Sequence, residues 1–248
     1  MYKFLKLIGK DIEKYKKISY FCLQGQITST MTYKVYKALK KFDPENSKAM
    51  ALIINSTGGS LAHAHIIQRK FDLVRKKYNL PLYTFAEDYA LSGAFYLLCM
   101  GDKIFCNKTS IVGAVGTQIQ TLNILKLLEH YKLEIRTFNS DSNETFLQQF
   151  DPLGNNDSTH ILENVSAQQN QQLQLQIHQL IGNRQKKEDI LNGSIFNGQQ
   201  LFQDYKFSDG IGCYLNILQS EFPYNKLENA TQKTQREKMI DFFQNKFN

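Results

Sequence analysis

A serine that attacks a carbonyl needs a hydroxyl at a sharp turn, N–H groups facing the developing oxyanion, and a base for its proton. Ser92 meets the first requirement: it lies between Leu91 and Gly93, ahead of the apolar run 94–100. A serine there is also an ordinary helix N-cap. The second requirement points to glycine turns. Gly58-Gly59 follows the apolar run 49–54, and Gly93 follows the serine. Glycine permits positive φ and close backbone approach, and a helix starting at once presents unpaired N–H groups. Backbone amides at Gly58 or Gly59, together with Gly93, are the candidate oxyanion donors. Gly58-Gly59 also reads as an ordinary strand-to-helix turn.

Strands and helices alternate through most of the chain. Strands are expected at 18–24, 49–54, 81–86, 103–106, 111–115 and 133–138. Helices are expected at 32–42, 60–78, 92–100, 122–131, 159–181 and 186–191. Such alternation builds βαβ units with right-handed crossovers. The run 49–54 (AMALII) is apolar throughout, as befits a parallel strand buried on both faces. The domain reading is an N-terminal basic helix at 1–17, a main domain at 18–220 and a polar tail helix at 221–248. Residues 1–17 have apolar positions on one helical face and lysines on the other. They read as a surface helix, as a peripheral membrane contact or as a mitochondrial-type targeting peptide. The last is disfavoured by Asp11, Glu13 and the lack of Arg.

Four blocks occur in order: Ile54-Asn55-Ser56-Thr57-Gly58-Gly59, then Leu91-Ser92-Gly93, then Gly101-Asp102-Lys103-Ile104, then Val112-Gly113-Ala114-Val115-Gly116. Late in the chain come 193–200 (GSIFNGQQ) and Asp209-Gly210-Ile211-Gly212. This pattern resembles the SppA family of serine peptidases (signal peptide peptidase A, protease IV), within the ClpP/crotonase fold. The resemblance runs from about residue 18 to 218. It implies an α/β fold: a twisted parallel sheet with flanking helices and a helical C-terminal arm. It also places Ser92 on the family's nucleophile, and it implies oligomers and a peptide or protein substrate if the site is active.

The resemblance breaks at the base. The family's base is a lysine in the segment that follows the strand corresponding to 133–138. Here 137–183 contains no Lys or Arg. Glu144 lies nearest the expected position, and His160 follows the strand that usually delivers the base. These two are the candidate replacements, and His63, His65, His130 and His178 read as surface or half-buried residues. The family's serine in G-S-I-G, which helps hold the lysine, is Ala114 here, and Thr57 replaces the usual proline. Two readings follow: a scaffolding subunit of a larger assembly that has lost the proton path, or an active endopeptidase using Ser92. Crotonase-like acyl-CoA chemistry shares paired oxyanion amides but lacks a placed pair of catalytic glutamates.

The remaining features bound the answer. With 248 residues and 42% hydrophobic content, the chain can build a substantial core. No apolar run reaches the roughly 18–20 residues that span a bilayer. The formal charge is +7, with Lys and Arg scattered along the sequence, and no nucleic-acid motif accompanies them. Cys22, Cys99, Cys106 and Cys213 show no metal-ligand spacing. They read as buried free thiols of a reducing compartment. No cofactor is implied.

Overall fold

The run 49–54 predicts a strand shielded on both faces, and the fold is built around it. A computed structural model of the chain describes residues 16–120, 122, 124–134, 136, 156–182 and 188–231. The described residues form two compact units. One comprises those up to Val115 and from Gln176 onward; the other lies between Gly116 and Leu175.

In the first unit, β1 (Lys17–Gln24), β2 (Ser47–Ser56) and β3 (Leu82–Leu91) pair in parallel. Helices α1 (Ser29–Lys41) and α2 (Leu61–Tyr78) make the crossovers. α3 (Gly93–Leu98) is short and wholly buried. β4 (Lys103–Cys106) and β5 (Ile111–Gly113) both pair with β3, in parallel. β6 (Ile195–Asn197) is antiparallel to β5, β7 (Gly210–Ile211) extends β4, and β8 (Leu227–Asn229) adds an edge beside β1. The sheet is therefore mostly parallel and flanked by helices, an α/β architecture.

Each sheet face buries its own layer. Ile18, Ala49, Ala51, Ile53, Phe85 and Phe105 share a cluster with Leu218 and Phe222. On the opposite parity, Phe21 meets Phe71 of α2 edge-on at 5.1 Å. Local signals set the helix ends. The Ser60 side chain accepts from the His63 N–H, and Asn79 ends α2 in the left-handed region at φ 51°. Two aspartates lock strands into register. Asp102 accepts from the Leu82 N–H and from Arg75, and Asp209 accepts from the Ile104 N–H.

The second unit holds α4 (Leu125–His130) and the start of α5 (Asn156–Ile181), which ends in the first unit. Within it, Thr117 Oγ1 donates to the Ser166 carbonyl at 2.8 Å. The strand expected at 133–138 is not formed by Leu133, Glu134 or Arg136, the described part of that range. A single turn, the 3-10 helix Glu188–Leu191, stands where a helix was expected at 186–191. α6 (Gly198–Gln203) and α7 (Tyr214–Glu221) follow. Within the expected tail helix, 227–229 is instead the edge strand β8, pairing in parallel with 18–20 of β1 and so giving partners to backbone groups on that edge of the sheet. The basic helix at 1–17 falls almost wholly outside the described residues, and Lys17 opens β1. The helix expected around Met239 to Phe243 also lies outside them.

Candidate active site

The site begins with a break in strand register. β2 and β3 pair regularly from Met50↔Leu82 to Ile54↔Ala86, and then Ser56 faces Ala90. Residues 87–89 of β3 thus stand against Asn55 alone on β2, two residues more than a regular ladder holds, and form a bulge, which bends the strand. Ser110 clamps it: its hydroxyl faces the carbonyls of Ala86 and Glu87 and accepts from the Asn107 N–H. Asn55 Nδ2 donates to Asp88 Oδ2 at 2.7 Å across the same bend. Past it, Tyr89 to Leu91 leave β4 and pair with β5.

Ser92 sits where bent β3 meets α3. Its N–H donates to the Gly113 carbonyl at 2.9 Å, and its own carbonyl accepts from Tyr96 N–H at 3.0 Å. Its backbone is at φ 52°, ψ −118°, a region L-residues rarely adopt and that costs on the order of 1–3 kcal/mol. It makes no side-chain capping bond to α3, so it is not the ordinary N-cap. The sharp reversal is possible because Gly58 lies directly beside it. A Cβ on Gly58 would stand 2.7 Å from the Leu91 carbonyl oxygen, 3.1 Å from Ser92 Cβ and 3.4 Å from the Gly93 nitrogen. The structure thus brings Gly58, Ser92 and Gly93 into one small space.

The amides there are not equivalent. Gly58 N–H donates to Ser56 Oγ at 3.1 Å, and the Gly58 carbonyl accepts from Ile27 N–H. Among the described residues, neither the Gly59 nor the Gly93 N–H has an acceptor. At the carboxyl ends of β1 to β3 opens a cleft of about 380 Å³ lined by Gln24, Gly25, Asn55, Ser56, Thr57 and Tyr89; it reaches the elbow through Thr57, next to Gly58, while Ser92 and Gly93 do not line it. Ligands of open α/β sheets commonly lie at this end of the strands. Glu87 is half-buried on the bulge. Desolvation, and then the charge of Asp88, raises its pKa.

The base candidates have partners of their own or lie outside the described residues. Glu144 is among the latter. His160 is exposed and lies 3.8 Å from Glu163 of its own helix. His63 Nδ1 lies 3.1 Å from Thr32 Oγ1. His65 stacks edge-on to Tyr96, and burial lowers its pKa. His130 lies against Tyr131, and His178 is exposed. Ala114 is at φ 48°, with its N–H given to the Ser194 carbonyl. Among the described residues, no group of three or more His, Cys, Asp or Glu could hold a metal ion.

Sequence reasoning missed Ser56, Ser110 and the Gly113 carbonyl, because each acts through one backbone contact made across the fold. Tyr89 was also missed, since its exposure at a bulge has no periodic signature. The cysteines differ from the expected buried set. Cys99 and Cys106 are buried, Cys22 is half-buried and Cys213 is exposed, since Cys213 precedes α7 at the sheet's edge rather than entering a strand.

Residues 74–201 match the model of peptidase family S49. The chain is 25% identical over 194 residues to a candidate signal peptide peptidase SppA of Enterococcus faecium, covering 78% of this chain and 56% of that protein. It is 22% identical over 122 residues to a candidate protease of Methanocaldococcus jannaschii, covering 49% and 39%. It is also 27% identical over 192 residues to a protein named Na(+)/H(+) antiporter NhaA of Brucella melitensis, covering 74% of this chain but 25% of that protein. The chain therefore spans between a quarter and little more than half of these relatives. No described helix is long and apolar enough to cross a membrane. With three of the four glycine-bearing blocks meeting around Ser92, the third seated at the start of β3 where Asp102 accepts from Leu82 N–H, and the family match spanning half of its length, the chain belongs to peptidase family S49.

Proposed function

We propose that this S49 homologue holds a peptide at the Ser92 elbow without turning it over efficiently, and serves as a structural subunit of a larger assembly. The observation that carries this reading is a contrast within one site. The features that favour an acyl-holding half are Ser92 at a strained elbow beside Gly58 and Gly93, N–H groups of Gly59 and Gly93 without an acceptor among the described residues, and a cleft at the strand ends. The lysine of the family's proton path has no counterpart where the resemblance would put it. No lysine occurs in 137–183, and Ala114, without a hydroxyl, stands at the place of the serine that would hold one. A serine hydroxyl without a placed base is a weak nucleophile. The test is labelling with a fluorophosphonate probe, with sizing of the assembled species. Wild type and Ser92→Ala should label equally weakly, and the protein should elute well above the 28.7 kDa of one chain.

A second reading, an active endopeptidase using Ser92, is favoured by one observation. The costly backbone conformation of Ser92 is retained, and such strain commonly persists where chemistry uses it. Strong labelling of wild type that is lost in Ser92→Ala would establish this reading over the first.

A further inference from the structure

The formal charge looks scattered in sequence, yet the fold gathers it. α1 carries Lys34, Lys37, Lys40 and Lys41 and no acid. α2 carries Arg69, Lys70, Arg75, Lys76 and Lys77 against Asp72 alone. The two helices pack side by side, so together they hold a net charge of +8, against +7 for the whole chain. Apolar residues stand out of the same surface: Tyr33 is 56% exposed, Tyr36 43%, Ile66 43% and Leu73 62%. On α2, Ile66 and Leu73 are seven residues apart and share the side away from the buried Ala64, Ile67 and Phe71. Lys70 and Lys77 flank that ridge on one side, with Arg69 and Lys76 on the other. Lys37 lies over the Tyr33 ring at 4.6 Å, and Lys70 of α2 lies over Tyr36 of α1 at 4.8 Å.

We propose that the α1–α2 face docks the protein on an anionic lipid bilayer, with Ile66, Leu73, Tyr33 and Tyr36 entering the headgroup layer and the flanking lysines and arginines meeting lipid phosphates and carboxylates. Charge complementarity selects the partner's sign. The apolar ridge selects its kind, because a polyanion such as nucleic acid offers no apolar medium for Ile66 and Leu73. Basic residues flanking an apolar stripe, with tyrosines at the boundary, fit an interface-lying helix. The inference is independent of whether Ser92 is active.

The chain contains no tryptophan, so Leu73→Trp supplies a single reporter at an exposed position. Phosphatidylcholine vesicles with and without phosphatidylserine are the probes. The full chain should co-sediment with the anionic vesicles and not with the neutral ones, and the emission of the introduced indole should shift to the blue on binding. Binding should weaken as salt is raised. Lys37→Gln/Lys70→Gln/Lys77→Gln should weaken it about a hundredfold, since each basic residue near an anionic surface is worth about fivefold. These residues are on the surface, so an unchanged circular dichroism spectrum is expected for the triple variant. Four results would each overturn the proposal. One is no binding to anionic vesicles, and another is equal binding by the triple variant. The third is a blue shift that grows with protein concentration without lipid, which would make the face a contact between copies. The fourth is tighter binding to duplex DNA than to vesicles, unaffected by Ile66→Ser/Leu73→Ser.

Discussion

The two halves of β3 have the same parent strand and opposite roles. From Leu82 to Ala86 the strand is straight, buried and bonded to β2 and β4. Phe85 stacks on Phe105 at 5.1 Å, and Thr84 Oγ1 donates to the Leu98 carbonyl. From Glu87 to Leu91 it is bulged, partly exposed and bonded to β5. It ends in Ser92, whose backbone energy is unfavourable. The first half contributes stability through buried area, and the second spends some of it to hold a shape. A site can be strained only where a stable neighbour over-determines it.

Substitutions along the strand sharpen this contrast. The largest effect is expected in the straight half: Phe85→Ala should cost about 3–5 kcal/mol in urea unfolding, as aromatic truncations in cores do. Tyr89→Ala in the bent half should stay within about 0.5 kcal/mol. A cost at Tyr89 as large as that at Phe85 would erase the distinction. Gly58→Ala comes next. At φ 99°, with its Cβ driven against the Leu91 carbonyl, it should cost about 1–3 kcal/mol. It should also abolish any probe reactivity of Ser92 and leave a folded protein.

Ser92→Gly reverses the sign. Glycine tolerates positive φ, so this variant should gain about 1 kcal/mol in thermal or urea unfolding. A loss instead would mean that the serine side chain stabilises the elbow more than its backbone strains it.

The smallest effect is electrostatic. Burial and Asp88 raise the pKa of Glu87 above its ordinary value, so the folded state disfavours its charged form. Its contribution is fully present below the ordinary carboxylate pKa and is lost as pH rises through the raised value. Glu87→Gln should therefore match wild type at acidic pH and be slightly more stable at neutral pH. The measurement is melting temperature against pH for both proteins.

The bent half of β3 was also the half least legible in sequence. A strand was expected to stop at Ala86, because Glu87-Asp88-Tyr89 breaks the apolar run. The structure carries the strand on to Leu91, since β5 supplies the hydrogen bonds that the local pattern does not advertise. Conversely, the strand Lys103–Cys106 and the end of α2 at Tyr78 fall where expected. A short apolar run between turn signals and a basic last turn before Asn79 are local features, read from adjacent residues.

By itself, the sequence determined the order of elements, the glycine turns that must reverse the chain, and the family that those turns resemble, because these depend on neighbours within a few positions. Only the tertiary structure decided that Gly58 leaves room for Ser92, that Ser56 occupies the Gly58 amide while Gly59 and Gly93 keep theirs open, and that the Gly113 carbonyl holds the elbow. It also decided that lysines and arginines strung along two separate helices form one face. The physical reason is common to all of these. Each depends on a distance between residues far apart in sequence, and such distances are set by sheet register and helix packing, which no local pattern contains.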